Sequence, residues 1–188
     1  KFIIDKIKDG YQSYIVYPLV EESEKMDLKA AETYFESLSK TYFKDCKVGL
    51  IHGKMHWRDK ENIMLQFANK EFDILISTTV IEVGIDVADA NIIVINDANR
   101  FGLSQLHQLR GRVGRSSKQA YCILISNFAR PINPDKFDFS FKYLSNTQIE
   151  KQKAAIRLSA MVKFSSGFKL SEIDFKLRGP GYIFGTKQ

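Results

Sequence analysis

The sequence predicts an α/β fold, a mostly parallel sheet with helices on its faces, followed by a second, helical segment. Three observations predict it. Short apolar runs without alternation, such as QSYIVYPLV and NIIVIN, read as strands buried on both faces. Helical stretches separate them, the strand–helix alternation of a parallel sheet. Apolar residues make up 44% of the 188 positions, enough for a packed core.

Gln12 to Val20 is the first strand, closed by Pro18 and the acidic loop EESEK. Asp27 is placed to cap a helix from Leu28 to about Lys40. Ala30, Ala31, Tyr34, Phe35 and Leu38 share one face of it and read as core. Lys47 to His52 is the second strand, ending in His52-Gly53-Lys54. Asp59 is expected to cap the next helix, through Ala68, with Ile63, Met64 and Phe67 toward the sheet. Trp57 reads as a packing anchor, although with Arg58 it has the chemistry to stack on nucleic acid.

Phe72 to Ser77 is the third strand, followed by STTVIEVGIDV, and Asn91 to Asn96 is the fourth. Ser104 is expected to cap the helix that opens SQLHQLRGRVGR. Gln119 to Ser126 is a fifth strand. Pro131 and Pro134 mark a break in composition, placing a boundary near Phe128. An aromatic linker follows, then a helix from Thr147 to about Lys163, with Thr147 and Glu150 in capping-box spacing. Ile156, Ala160, Met161 and Val162 suggest its apolar face. A short extended patch is expected around Gly167. The tail from Asp174 onward carries Gly179, Pro180, Gly181 and Gly185 and reads as a loop.

Composition bounds the function. No apolar run is long enough to span a membrane, and KFIIDKIKDG lacks the shape of a signal peptide. Cys46 and Cys122 show no metal-ligand spacing and read as small buried apolar residues, so no metal site is expected. The net charge of +6 is compatible with a polyanionic partner. His52 stands at a strand's carboxyl end, where α/β sheets place ligands, or is hydrogen-bonded for structure. Ser77, Thr78 and Thr79 offer hydroxyls to a phosphate backbone, or cap a helix. Arg110, Arg112 and Arg115, with Gly111 and Gly114 among them, offer rigid cationic forks that suit phosphate oxygens.

SQLHQLRGRVGR resembles motif VI of superfamily 2 helicases, and STTVIEVGIDV resembles their motif V. With NRFGLSQLHQLRGRVGR and LRGPGYIFGTKQ, the spelling resembles the bacterial branch-migration helicases of the RecG family over nearly the whole chain. The glutamine-rich motif VI is shared with the transcription-repair coupling motor Mfd. VYPLVEESEKMDLKAAE and the GPG near the end favour RecG.

The resemblance implies a second RecA-like helicase domain over residues 1–128. Over 129–188 it implies a helical hairpin and loop, the family's translocation motif. It makes Arg112 and Arg115 arginine fingers, with Gly84, Asp86 and Gln108 at the nucleotide. It places His52, Ser77, Thr78 and Thr79 toward DNA, and Arg157, Arg178 and Gln188 in coupling hydrolysis to movement. It implies ATP and Mg2+, branched double-stranded DNA as partner, a monomer, and the bacterial cytoplasm at the nucleoid.

No stretch reads GxxxxGK[ST], and nothing resembles a Walker B acidic box. The expectation is therefore a part of a larger motor, with the first RecA-like domain and a DNA-wedge domain before Lys1. Alone it would hydrolyse almost no ATP. Two other readings are an Mfd-type motor, with RNA polymerase among its partners, and a non-catalytic nucleic-acid-binding scaffold.

Overall fold

The computed structural model describes residues 1–18, 24–78, 85–127, 132–135, 137, 139, 141 and 143–178, without the side chains of 24–31. Five strands form one sheet: β1 (Gln12–Val16), β2 (Val48–Ile51), β3 (Ile74–Ser77), β4 (Ala90–Ile95) and β5 (Tyr121–Leu124). Their order is β2-β3-β1-β4-β5, and every pairing is parallel. The helices are α1 (Phe2–Lys8), α2 (Glu24–Thr41), α3 (Trp57–Ala68), α4 (Leu103–Arg110), α5 (Asn146–Lys163) and α6 (Gly167–Arg178). A 3-10 turn, Ala98–Arg100, precedes α4.

The apolar runs are strands because both faces of the sheet are covered. On one face Ile15, Ile74, Ile76, Ile92 and Val94 form a cluster under Ile3, Ile4 and Ile7 of α1 and Phe35 and Leu38 of α2. On the other, the Tyr14 ring lies 5.0 Å from that of Phe67 on α3. Gln12 braces this layer: its buried Nε2 donates to the Phe67 carbonyl at 2.6 Å and the Phe72 carbonyl at 2.7 Å. α1 is an element that the sequence reading did not anticipate.

Several helix starts differ from expectation. α2 begins at Glu24, so Asp27 is inside it rather than its cap. Tyr34 is not core: it is largely exposed and stacks on Tyr17 at 4.5 Å. α3 is capped by His56, whose Nδ1 accepts from the Arg58 amide at 3.4 Å. Asp59 lies in its first turn, where a carboxylate favours the helix dipole. α4 begins one residue before Ser104, and Gln105 Oε1 accepts from the Gly102 amide at 2.9 Å. α5 has its capping box two residues early, Ser145 with Gln148, and Thr147 and Glu150 lie within the helix. Val162 is exposed, off the buried face formed by Ile156, Ala160 and Met161. Cys46 and Cys122 are free thiols and only half-buried.

No extended patch is found at Gly167, where α6 begins. A Cβ there would lie 2.9 Å from His107 Cε1, so glycine at this position makes room for α4 and does not break the helix.

By contacts the chain forms two compact units, Lys1–Asn96 with Leu109–Ile125, and Asp97–Gln108 with the chain from Ser126 onward. In the second unit α5 packs on α6 and on the 3-10 turn. Of the aromatic linker's described residues, Phe137 and Phe139 meet edge to face at 5.6 Å, Lys176 Nζ of α6 sits 5.8 Å over the Phe139 ring, and Lys153 Nζ of α5 sits 5.8 Å over the Phe141 ring.

Candidate functional site

Within the first unit the structure joins two of the sequence motifs. The Arg115 guanidinium forms an ion pair with the Asp86 carboxylate. Its Nε and Nη2 also donate to the Gly111 carbonyl, at 3.4 and 3.2 Å. Gly114, at φ +82°, supplies the left-handed residue in this loop, a conformation L side chains rarely adopt. Arg112 is half-buried, and among the described residues its guanidinium has no hydrogen-bond or ion-pair partner.

Both guanidinium groups act on the same place. Burial raises the Tyr14 phenol far above its ordinary range; Arg112 and then Arg115 pull it down, and Asp86 pushes it up. The two arginines and the carboxylate thus share the field felt by Tyr14 on the central strand. At Asp86 the side chain is 64% exposed and at Arg115 36%, so their attraction is that of a surface pair, worth about 0–1 kcal/mol. Such a pair orients the arginine and releases it readily to a stronger anion. Burial also pushes the Cys122 thiol up, with Arg110 pulling it the other way.

Asn91, wholly buried at the start of β4, ties the two loops together. Its Nδ2 donates to Ser116 Oγ at 2.9 Å and to the Ala88 carbonyl at 3.2 Å, just beyond Arg115 and Asp86 respectively. Asn91→Ala removes both bonds in a dry interior and is expected to cost about 1–3 kcal/mol in urea unfolding. A loss below about 0.5 kcal/mol would show that the amide does not hold the loops.

His52 follows β2, Ser77 ends β3 and Thr78 follows it, so all three stand at the carboxyl ends of parallel neighbours. Burial lowers the His52 imidazole, opposed by Glu32 and assisted by Lys60 and Lys54. Its Nδ1 is buried and has no hydrogen-bond partner among the described residues. Ser77 is fully buried and Thr78 nearly so, which places these hydroxyls in the interior of the isolated domain. Ser77 is on the strand face shared with Leu75, opposite Ile74 and Ile76, and so points into the packed layer. Thr79 and Gly84 lie outside the described residues, as does Gln188 with the tail from Gly179.

In the second unit, Arg157 on α5 reaches the 3-10 turn before α4. Its Nη2 donates to the Asn99 carbonyl at 3.3 Å, while its buried Nε has no partner among the described residues. Burial works against its charge, and Glu150 and Asp174 work for it. Asn99, which the sequence reading passed over, also accepts from Ser126 Oγ at 3.0 Å through its side chain. The one signal for Asn99 was its place in a polar stretch directly after a strand. Arg178 is exposed at the end of α6 and pairs with Asp174. Gln108 is exposed on α4. Among the described residues no cluster of His, Cys, Asp and Glu is arranged to hold a metal ion.

Residues 1–117 match the helicase conserved C-terminal domain family. Over its whole length the chain is 50% identical to the ATP-dependent DNA helicase RecG of Aquifex aeolicus and 44% identical to that of Thermotoga maritima. It is 43% identical over 187 residues to the RecG of Bacillus subtilis. The chain spans 21–24% of the length of these relatives. A solved structure of RecG bound to a three-way DNA junction matches with a TM-score of 0.70 at 41% identity, over 97% of this chain and 21% of that one. Domain 2 of the DEAD-box helicase Mss116p, bound to an RNA duplex, matches with a TM-score of 0.52 at 22% identity over 65% of this chain and 46% of that one, a likeness of fold.

Proposed function

The chain belongs to the helicase conserved C-terminal domain family, in its RecG branch, and from that premise we propose that it is the second RecA-like motor domain of an ATP-driven DNA helicase acting on stalled forks and branched junctions. The observation that carries this reading is the pairing of Asp86 with Arg115 beside an Arg112 that has no partner among the described residues. Nothing in the sheet requires two guanidinium groups there. A triphosphate does, because phosphoryl transfer spreads negative charge over the transferred oxygens.

ATP is the substrate, held chiefly by a first motor domain that supplies the phosphate loop and the acidic group for Mg2+. Arg112 and Arg115 enter from this domain. Hydrolysis then depends on the two domains closing, which links chemistry to motion. The relative solved with a three-way junction supports branched DNA as partner. The relatives named above also favour this reading over an Mfd-type motor or a scaffold without activity.

Residues 1–128 act as the motor domain in this reading, and 129–188 as the hairpin and loop that respond to DNA. His52, at the carboxyl end of β2, faces the DNA side, and Arg157 carries domain movement into the hairpin. The protein works as a monomer in the bacterial cytoplasm, at the nucleoid.

The test is ATP turnover by the full-length protein with and without a three-way DNA junction. Stimulation by the junction, with separation of its arms, is the expected result. Turnover that ignores DNA would sink the reading.

A further inference from the structure

Trp57 is the only tryptophan in the chain, and it is 60% exposed at the start of α3. It is not the packing anchor that its size suggests. The Arg58 guanidinium lies 5.6 Å over its ring, and the His56 ring is 6.2 Å away, tilted by 38°. The loop carrying it is short and tied down. The Met55 amide donates to the His52 carbonyl at 3.2 Å, and Lys60 Nζ donates to the Gly53 carbonyl at 2.9 Å. Arg58 is exposed beside the ring and Lys54 is exposed in the preceding loop, with Asp59 and Glu61 the acidic residues nearest in sequence.

An exposed indole presents a π-face to water, and the cations around it suit a phosphate chain. Within a duplex both faces of every base are already stacked, so away from the terminal pair only an unpaired base offers a face to the indole. We infer that Trp57, flanked by His56 and Arg58, is a stacking platform for an unpaired base of a DNA strand passing the carboxyl end of β2. Aromatic stacking of this kind tolerates any base and leaves sequence unread. The inference rests on the DNA-binding reading and adds to it a preference for junctions with a single-stranded arm.

The experiment uses the full-length protein and its Trp57→Phe and Trp57→Ala variants. The probes are a fork with an oligothymidine arm and the same duplex with blunt ends. The difference in emission between wild type and Trp57→Phe isolates the signal of Trp57. That signal is expected to be quenched by the fork and not by the blunt duplex. Trp57→Ala is expected to weaken fork binding about 5- to 150-fold, the range for losing one stacked base, and to leave the blunt duplex unchanged. Trp57→Phe should retain most of the affinity. Equal losses on both DNAs, or no loss on the fork, would overturn the inference. So would a Trp57 signal shielded from acrylamide before DNA is added, which would mean another part of the polypeptide covers it. Wild type that binds neither DNA would overturn the proposed function as well.

Discussion

Arg115→Ala in the full-length protein is expected to cut DNA-stimulated ATP turnover by roughly 10³ to 10⁵, the range known for arginine fingers in GTPases. ATP binding should be retained. The reason is where the charge develops: on the transferred oxygens in the transition state, and much less in the bound nucleotide. Loss of the group therefore appears in kcat and leaves ground-state affinity nearly intact. Lysine at 115 should rescue poorly, because a point charge cannot reproduce the planar fork.

Asp86→Ala is the informative companion. The ion pair costs at most about 1 kcal/mol to break, so its removal should change turnover far less than loss of the arginine. Unchanged turnover in Arg115→Ala would mean that the Asp86–Arg115 pair serves only to hold two loops together. Arg112, unpartnered among the described residues, would then be the remaining group to test.

Arg157→Met is expected to separate hydrolysis from DNA remodelling. Methionine fills much of the space of the arginine stem and removes a charge that burial opposes. One of the guanidinium nitrogens, Nε, is buried without a partner among the described residues, which is a poor arrangement if stability were its purpose. The isolated chain should unfold at the same urea concentration as wild type or slightly higher, since replacing a buried charge by an apolar group is often neutral or stabilising. The full-length variant should keep DNA-stimulated ATP turnover and lose at least about tenfold in junction unwinding per ATP, the effect of losing roughly 1.4 kcal/mol of coupling. Equal losses in both activities would show that Arg157 supports the fold and carries no movement.

The strands were legible in the sequence because burial on both faces leaves uninterrupted apolar runs, as in Ile92 to Ile95. Helix starts were less legible. Caps are chosen among several nearby polar residues, and Ser145 beats Thr147 by a geometry that spacing alone does not encode. The pairing of Asp86 with Arg115 was not readable either, since it depends on how two loops fold toward one strand. Their separate roles were suggested by motif spelling. Burial of Ser77 follows from strand alternation, but a hydroxyl triplet after a strand looks the same whether it faces inward or outward. Arg157 was named from motif position, while its partner is a main-chain carbonyl, which no side-chain pattern reveals.

The all-parallel sheet has a kinetic consequence. β1 is central, yet its neighbours are β3 and β4, so Ser13 must find Ile74 and Ile92 across long stretches of chain. Among the described residues no two strands adjacent in sequence pair with one another as a hairpin. Closing such loops is an entropic cost that comes before any reward, and folds of this kind form slowly compared with helical bundles. During synthesis β1 precedes both of its neighbours, and it gains the second of them only with β4. Until β4 emerges, Tyr14, Ile15 and Val16 are an apolar segment with an open edge, the kind of segment that chaperones or a neighbouring domain must shield.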